Sequence, residues 1–190
     1  VLPKKYHFRG SRVLCFLPLA HAFGAAIDMA NTGEVSSFDL HENKLSLIRR
    51  GAAGLGITTL TAAAGDARAA RPEVLGTYER VICDVPCSGF GVLAKKPDIR
   101  YKDIREAAGL LSVQAAILRA AGELVAPGGI LLYSTCTLLP WENEEQIGAF
   151  LGEHPEFSLE AWSVGDVACE GMLTLAPDTH GTDGFFIARM

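Results

Sequence analysis

Two cysteines occupy matching positions in the chain, each in a turn that directly follows an apolar run. Cys87 lies in "VICDVPCSGFG", where the run ends at Asp84, and Cys136 lies in "GGILLYSTCTLLP". A thiolate is a strong nucleophile, and a neighbouring carboxyl group can bind a substrate or move a proton. The alternative for either thiol alone is a small buried hydrophobic residue, which is common for free cysteine. Two thiols in such similar contexts predict covalent catalysis.

The remaining cysteines argue against a disulfide framework. Cys15, Cys83 and Cys169 bring the count to an odd five, without paired spacing. We therefore expect reduced thiols and a cytoplasmic protein. Cys83 and Cys87 are four residues apart, but no second Cys or His pair completes a zinc site, so we predict no metal.

Composition predicts a globular protein without a membrane-spanning segment. The chain has 190 residues, of which 49% are hydrophobic and 21% charged, and we expect a single monomeric domain over residues 1–190. No apolar stretch approaches the ~20 residues that span a bilayer. The net charge of −5 does not favour a polyanionic partner, although basic residues gather at Lys95, Lys96, Arg100, Lys102 and Arg105. The alternative for this cluster is a solvated loop and helix start.

Strand and helix patterns alternate along the chain. Buried strands are predicted within residues 33–40, 57–67, 78–85 and 130–136, and two short C-terminal strands within 171–190. Helices are predicted at 41–56, from 103 to a stop at Pro127-Gly128-Gly129, and at 140–154, where acids follow Pro140. The long central helix carries its apolar residues along one side, at Ile104, Leu111, Ala115, Leu118 and Leu124.

This alternation predicts an α/β fold with a doubly wound, mostly parallel sheet. In such sheets ligands bind beyond the carboxyl ends of the strands. Asp39, Asp66, Asp84 and Cys136 fall at four successive strand ends, which indicates a site. The alternative for any one of these acids is a helix cap.

These motifs resemble a known family. Asp84-Val85-Pro86-Cys87-Ser88-Gly89 and Tyr133-Ser134-Thr135-Cys136-Thr137 are similar to the RNA (cytosine-5) methyltransferases of the Sun/nucleolar-protein type, bacterial 16S ribosomal RNA branch. The resemblance runs from about Thr32 to the C-terminus. It includes "KPDIR" (96–100), "PWENE" (140–144) and "TDGFF" (182–186). It implies a class I Rossmann-like methyltransferase with an antiparallel C-terminal strand.

The resemblance also implies a reaction and residue roles. The expected activity is S-adenosylmethionine-dependent methylation of cytosine C5 in RNA, with ribosomal RNA as the first expectation and transfer RNA as the alternative. Cys136 is then the nucleophile that adds to C6, Cys87 assists its release, and Asp84 contacts the cytosine edge beside the methyl donor. Asp39 binds the ribose hydroxyls of the donor and Asp66 its adenine amino group. The basic stretch from Lys95 to Lys102 lies near the RNA backbone.

Two departures from the family pattern stand out. The family opens its domain with Asp-x-Cys-Ala-Ala-Pro-Gly-Gly-Lys, whereas this chain reads "CFLPLAHA" at 15–22, without the glycine pair or the lysine. A compensated reading-frame error is one hypothesis, and His21 is expected at the surface or partly buried. The RNA-recognition region that precedes the family's domain is also not visible, so we expect an N-terminally truncated chain. The alternative function is therefore a catalytically impaired RNA-binding or assembly remnant.

Overall fold

The computed structural model describes residues 11–16, 33–164 and 167–190, without the side chains of Glu106 and Val164. Two sequence predictions lie outside the described residues. They are the surface or partly buried position expected for His21 and the atypical loop at 15–22, of which residues 17–22 are not described.

The described strands are β1 Arg12–Phe16, β2 Glu34–Asp39, β3 Leu60–Ala64, β4 Tyr78–Asp84, β5 Val125–Thr135, β6 Trp162–Val164, β7 Val167–Cys169, β8 Met172–Leu175 and β9 Phe185–Arg189. Seven of them form the main sheet, in the order β3-β2-β1-β4-β5-β9-β8. β2 is parallel to β1 and β3, and β1 is parallel to β4, whereas β9 is antiparallel to both β5 and β8. This arrangement confirms the predicted mostly parallel sheet with an antiparallel C-terminal strand. β6 and β7 form a separate antiparallel pair.

The described helices alternate with the strands through the first part of the chain. They are α1 Glu42–Gly54, α2 Pro72–Leu75, α3 Ile104–Glu123, α4 Glu144–Glu153 and α5 Pro177–His180. Short 3₁₀ turns cover Ala67–Ala69, Pro97–Tyr101 and Pro140–Glu142. The predicted glycine stop of α1 holds, because Gly56 follows the helix with φ +70°, a conformation that glycine adopts without strain.

The predicted end of the central helix and its apolar side need correction. α3 ends at Glu123, and Pro127 lies within β5 rather than at the helix stop. Proline disfavours helical geometry at the residue before it, so the helix must end before Ala126. The predicted apolar residue Ile104 is 48% exposed, because it begins the helix at an exposed turn. The buried positions of α3 include Ala107, Gln114, Leu118 and Ala121.

The predicted helix at 140–154 is also divided. Pro140–Glu142 forms a 3₁₀ turn, and α4 begins only at Glu144, because Asn143 has a non-helical backbone with φ −118° and ψ −100°. This break turns Glu142 and Asn143 into the interior, where both are buried. The acids predicted at an exposed helix start therefore divide into one buried and two exposed side chains, Glu144 and Glu145 being exposed.

The chain divides into two compact units. The first comprises the described residues up to Asp84 together with Ala120–Leu131, and the second comprises Val85–Arg119 and Leu132–Met190. Fully buried side chains form the interior of each. They include Val13, Leu14, Val81 and Leu124 in the first unit and Leu118, Tyr133, Ile147 and Phe186 in the second. Whether the chain behaves as one domain, as the sequence predicts, stays a prediction.

Among the described residues, no helix combines the length and the apolar character that crossing a membrane requires.

Two adjacent phenylalanines of β9 allow a matched test of the second unit's core. Phe186 is fully buried and lies edge-on to Tyr133 at 6.3 Å between ring centroids, whereas Phe185 is half-buried on the other face. We expect Phe186→Ala to lower the free energy of unfolding by about 3–5 kcal/mol, because it leaves a cavity. Phe185→Ala should lower it less. Denaturant unfolding of both variants measures the difference, and an equal or reversed order would contradict this core.

Candidate active site

The two cysteine turns lie side by side in the second unit. Cys87 Sγ is 3.3 Å from Cys136 Sγ, and the hydroxyl of Ser88 is 2.9 Å from that of Thr137. Both pairs are separated by the same 49 residues. This constant separation means that the two turns run side by side in the same direction, and it brings their residues into successive contacts. The two thiols to which the sequence analysis gives a joint role, Cys87 and Cys136, are therefore in contact.

The surroundings of Cys87 favour its protonated form. The Cys136 amide donates a hydrogen bond to Cys87 Sγ at 3.3 Å. The hydrogen bond between the two thiols, and then burial, raise the pKa of the Cys87 thiol far above its usual range. Cys87 therefore keeps its proton and can donate it towards the neighbouring sulfur. Cys136 is half-buried, as Cys87 is, and its sulfur forms the other half of this contact.

Backbone hydrogen bonds fix the course of both turns. The Val85 amide donates to the Ser134 carbonyl at 3.1 Å, and the Gly91 amide donates to the Cys136 carbonyl at 2.9 Å. The Gly184 amide donates in turn to the Gly91 carbonyl at 2.7 Å. A Cβ at Gly91 would collide with the Gly184 carbonyl and lie 2.8 Å from the Cys136 carbonyl oxygen. Only glycine permits this close approach, so the loop that follows Cys87 is fixed against the end of β5.

A buried carboxylate lies behind the thiols. Glu142 is 0% exposed, and it accepts hydrogen bonds from the Ser88 amide at 2.9 Å, the Ser88 hydroxyl at 2.5 Å and the Gln114 side-chain amide at 2.9 Å. Gln114 also donates to the Pro86 carbonyl at 3.0 Å. Within the described part of the chain, none of the ion pairs involves Glu142. Neutral donors therefore compensate its burial.

The divided start of α4 is attached to β5 by side chains. Asn143 accepts from the Thr135 hydroxyl at 2.6 Å and donates to the Thr137 carbonyl at 3.0 Å. The Tyr133 hydroxyl donates to the Glu142 carbonyl at 2.7 Å. These bonds explain why the helix breaks at Asn143: the residues there are used to hold the turn that carries Cys136.

Sequence reasoning missed most of this network. It assigned Glu142 and Asn143 to an ordinary helix start, and it gave no role to Gln114. One signal was present: Gln114 interrupts the apolar series of α3, seven residues after Ala107 and four before Leu118. A polar residue at a buried helical position needs hydrogen-bond partners. Nothing in the sequence, however, identified Glu142 as the partner.

In the first unit, two predicted acids lie at neighbouring strand ends. Asp39 ends β2 and pairs in register with Ala64, the last residue of β3, and Asp66 follows two residues later. Asp39 is 7% exposed and accepts from the His41 amide at 2.8 Å, with Lys44 Nζ at 3.6 Å. Asp39 therefore lies at the predicted strand end and binds the backbone of the turn that follows, whereas the cap residue of α1 is His41.

Asp66 is held by a single basic neighbour. Its carboxylate accepts from the Arg68 amide at 2.9 Å and binds the Arg68 guanidinium through both oxygens, at 2.6 Å for the shortest contact. These hydrogen bonds to Arg68 lower the pKa of Asp66.

Asp84, the last of the predicted acids, is the final residue of β4 and is 6% exposed. The boundary between the two units falls directly after it.

The basic segment, residues 95–105, is partly engaged within the protein. Lys95 pairs with Asp183 at 2.5 Å, Lys102 donates to the Ser88 carbonyl at 3.2 Å, and Arg105 binds Asp103. The positive charge that the sequence places here is therefore reduced. Lys102 contributes to the cysteine turn itself.

The other cysteines differ from the thiol pair. Cys15 and Cys83 are fully buried in β1 and β4. Burial raises the pKa of Cys15 to about 12 and also raises that of Cys83. A buried thiol with a raised pKa is unreactive. The described ranges contain no group of three or more His, Cys, Asp or Glu side chains that could hold a metal ion.

Comparison with known proteins gives a consistent family. The family model described as "16S rRNA methyltransferase RsmB/F" matches residues 21–190. A Bacillus subtilis (strain 168) protein named "Probable ribosomal RNA small subunit methyltransferase B" is 42% identical over 185 residues, which cover 93% of this chain and 41% of that protein.

Solved structures agree in fold. The crystal structure of PH0851 has a TM-score of 0.82 and 30% identity, covering 95% of this chain and 42% of the other. That of NSun6 from Pyrococcus horikoshii with SFG has a TM-score of 0.80 and 26% identity, covering 94% and 47%. The fold is thus the Rossmann-like fold of S-adenosylmethionine-dependent methyltransferases. The chain spans less than half the length of each of these relatives.

The Asp66–Arg68 pair predicts a titration that Arg68 controls. We expect the Asp66 carboxyl to titrate below the usual value of about 3.9, and Arg68→Gln to return it to that value. Because the folded-state pKa is the lower one, the pair stabilises the fold above the unfolded-state pKa, and this contribution is lost as the pH falls through the folded-state pKa. Carboxyl carbon NMR against pH measures it. Arg71→Gln is the control, and an unchanged Asp66 titration in Arg68→Gln would refute the assignment.

Proposed function

The chain belongs to the 16S rRNA methyltransferase RsmB/F family, and from this premise we propose that it methylates carbon 5 of a cytosine in ribosomal RNA. The donor is S-adenosylmethionine. The observation that carries the proposal is the pair of thiols 3.3 Å apart at the ends of adjacent turns. The names of the relatives support ribosomal RNA as substrate over the alternative, transfer RNA. Nothing in the similarity to these methyltransferases favours an inactive remnant.

A thiol pair suits this reaction because carbon 5 of cytosine is a poor nucleophile. Addition of a thiolate to carbon 6 breaks the ring's 5,6 double bond and makes carbon 5 electron-rich. S-adenosylmethionine, when bound, supplies an electrophilic methyl group. Carbon 5 forms a bond to this methyl group as the methyl–sulfur bond of the donor breaks, which leaves S-adenosylhomocysteine. Water then takes the carbon-5 proton, and the electrons of the C–H bond restore the 5,6 double bond as the thiolate leaves carbon 6. This is covalent catalysis, in which one difficult step becomes several easier ones.

We assign the nucleophile to Cys136 and the release step to Cys87. The division follows the family resemblance, and the raised pKa of Cys87 beside the other sulfur agrees with a thiol that keeps its proton. A thiol that keeps its proton is a poor nucleophile, but it donates a hydrogen bond. While Cys136 is bound to carbon 6, the S–H of Cys87 can stabilise the departing sulfur, which becomes negative as the bond breaks.

Three acids of the first unit are assigned to the cytosine and to the methyl donor. Asp84 is assigned to the cytosine edge, where a buried carboxyl group can hydrogen-bond ring nitrogen 3 and the amino group. Asp39 and Asp66 fit the donor, because carboxylates at adjacent ends of parallel strands accept hydrogen bonds from ribose hydroxyls and from an adenine amino group. Asp66 already binds Arg68 through both oxygens, so its role requires Arg68 to share that carboxylate.

The basic segment is assigned to the RNA strand. Lys96 and Arg100 are exposed, and Arg100 makes a hydrogen bond only to the nearby Pro97 carbonyl among its described contacts. Between Arg100 and Lys102 lies Tyr101, which is 82% exposed. Exposed cations bind phosphates, and an exposed aromatic ring provides a stacking surface for a base.

Adduct trapping tests the proposed reaction. With the methyl donor present, RNA containing 5-fluorocytosine should form a denaturant-resistant adduct with the protein, because carbon 5 has no proton to lose. Cys136→Ala should abolish this adduct. Cys87→Ala should accumulate an adduct even on ordinary RNA, because release is impaired. Gel mobility measures both, Cys169→Ala is the control, and exchanged phenotypes of the two variants would overturn the assignment.

Salt dependence tests the RNA contacts. On single-stranded RNA, Lys96→Ala should reduce the slope of log affinity against log salt by about 0.7, because one phosphate contact is lost. Tyr101→Ala should weaken binding at every salt concentration without changing the slope. Fluorescence anisotropy measures both, and Arg50→Ala, which removes an exposed cation of α1, is the control. An unchanged slope in Lys96→Ala would exclude this phosphate contact.

A further inference from the structure

The hydrogen bonds at Glu142 have a definite direction. A carboxylate only accepts hydrogen bonds, so the Ser88 hydroxyl proton points at Glu142. The Ser88 oxygen must then accept the proton of the Thr137 hydroxyl, 2.9 Å away. The Thr137 oxygen in turn accepts from the Leu139 amide at 3.3 Å. Both hydroxyls are therefore fixed in orientation, and the carboxylate at the end of the series sets that orientation.

Glu142 holds the Cys87 turn at two points. Its oxygens bind both the amide and the hydroxyl of Ser88, the residue directly after Cys87. Gln114 connects the same carboxylate to the Pro86 carbonyl, directly before Cys87. Cys87 thus lies between two residues that are fixed to one buried acid.

The same carboxylate also holds the Cys136 turn, through the Ser88 hydroxyl. Thr137, directly after Cys136, contacts Ser88 through its hydroxyl and Asn143 through its carbonyl. A thiol is a weak hydrogen-bond donor and acceptor, so the contact of the two sulfurs is too weak to position two turns by itself. Hydrogen bonds to an ionised group are about twice as strong as neutral ones. The distance between the sulfurs therefore depends on the residues around them.

We propose that Glu142 is a positioning residue for the thiol pair, and that it holds Cys87 against Cys136 through Ser88, Gln114 and Thr137. Its catalytic consequence rests on the proposed function: Cys87 assists release only while it lies beside the departing sulfur. The geometric part concerns the free protein and requires neither RNA nor methyl donor.

The first experiment measures thiol alkylation in the free protein. Glu142→Gln removes the charge and replaces one acceptor oxygen with an NH₂ group, so either the Ser88 amide and Gln114 lose their acceptor oxygen or the Ser88 hydroxyl must reverse the direction of its hydrogen bond. We expect the thiols to separate and the pKa of Cys87 to fall towards its ordinary range. Iodoacetamide should then modify Cys87 at pH 8 at least about tenfold faster, since one pKa unit changes the thiolate fraction tenfold. Peptide mass spectrometry distinguishes Cys87 from Cys136.

Matched variants separate positioning from loss of stability. Glu145→Gln removes an exposed charge of α4, three residues after Glu142, and Phe150→Leu perturbs a buried residue of α4 whose ring packs against that of Phe157. Both should leave Cys87 alkylation unchanged. If Phe150→Leu accelerates alkylation as much as Glu142→Gln, or if Glu142→Gln changes it by less than about twofold, the proposal fails.

A second pair of variants covers the case in which Glu142→Gln does not fold. Thr137→Val keeps the shape of the side chain but removes the hydroxyl between the two turns, whereas Thr137→Ser keeps it. Faster alkylation of Cys87 in Thr137→Val, with native rates in Thr137→Ser, supports positioning. Equal rates in the two variants overturn it.

The catalytic consequence has its own readout. In a methylation assay, Glu142→Gln should lower kcat with little change in KM for RNA, and it should accumulate the adduct on ordinary RNA as Cys87→Ala does. If the native protein forms no adduct even with 5-fluorocytosine, the proposed function fails, while the alkylation rates still decide the positioning role. Adduct formation by the native protein with unchanged kcat in Glu142→Gln would overturn the catalytic part alone.

Discussion

Glu142 is buried without a cationic partner among the described residues, and this is the constraint on which the candidate site depends. A carboxylate removed from water needs hydrogen-bond donors, and here they come from Ser88 and Gln114. These donors belong to the segments on either side of Cys87. Satisfying the acid therefore determines where the first thiol lies, and the break in the chain at Asn143 is the local conformation that turns the acid inward.

The second determinant is the register between the two cysteine turns. Contacts with a constant separation of 49 residues join the thiols and the hydroxyls that follow them. Parallel strands deliver their carboxyl ends to one edge of a sheet, so two similar turns can meet there without a long loop. Close backbone approach at Gly91 then fixes the loop beyond Cys87 against the same strand end. The proposed roles of nucleophile and releasing thiol require the two sulfurs to be in contact, and the constant separation of 49 residues places them so.

Several residues combine a structural and a proposed chemical role. Asp39 and Asp66 bind the backbone of the turns that follow them, and Lys102 donates to the Ser88 carbonyl. A capping bond occupies only part of a carboxylate's acceptor capacity, so capping and ligand binding are compatible at one acid. At Asp66 less acceptor capacity is left for a ligand, because the Arg68 guanidinium binds both carboxylate oxygens.

The sequence by itself determined the alternation of strands and helices, the positions of the acids and thiols at strand ends, and the resemblance carried by two cysteine motifs. These depend on local patterns and on spacing. Only the tertiary structure decided that Pro127 lies within a strand, that the helix at 140–154 divides, and that Gln114 and Glu142 meet behind Cys87. The physical reason is that a buried acid is stabilised by donors distant in the chain, 28 residues away for Gln114 and 54 for Ser88. No local pattern records which distant donors will satisfy it.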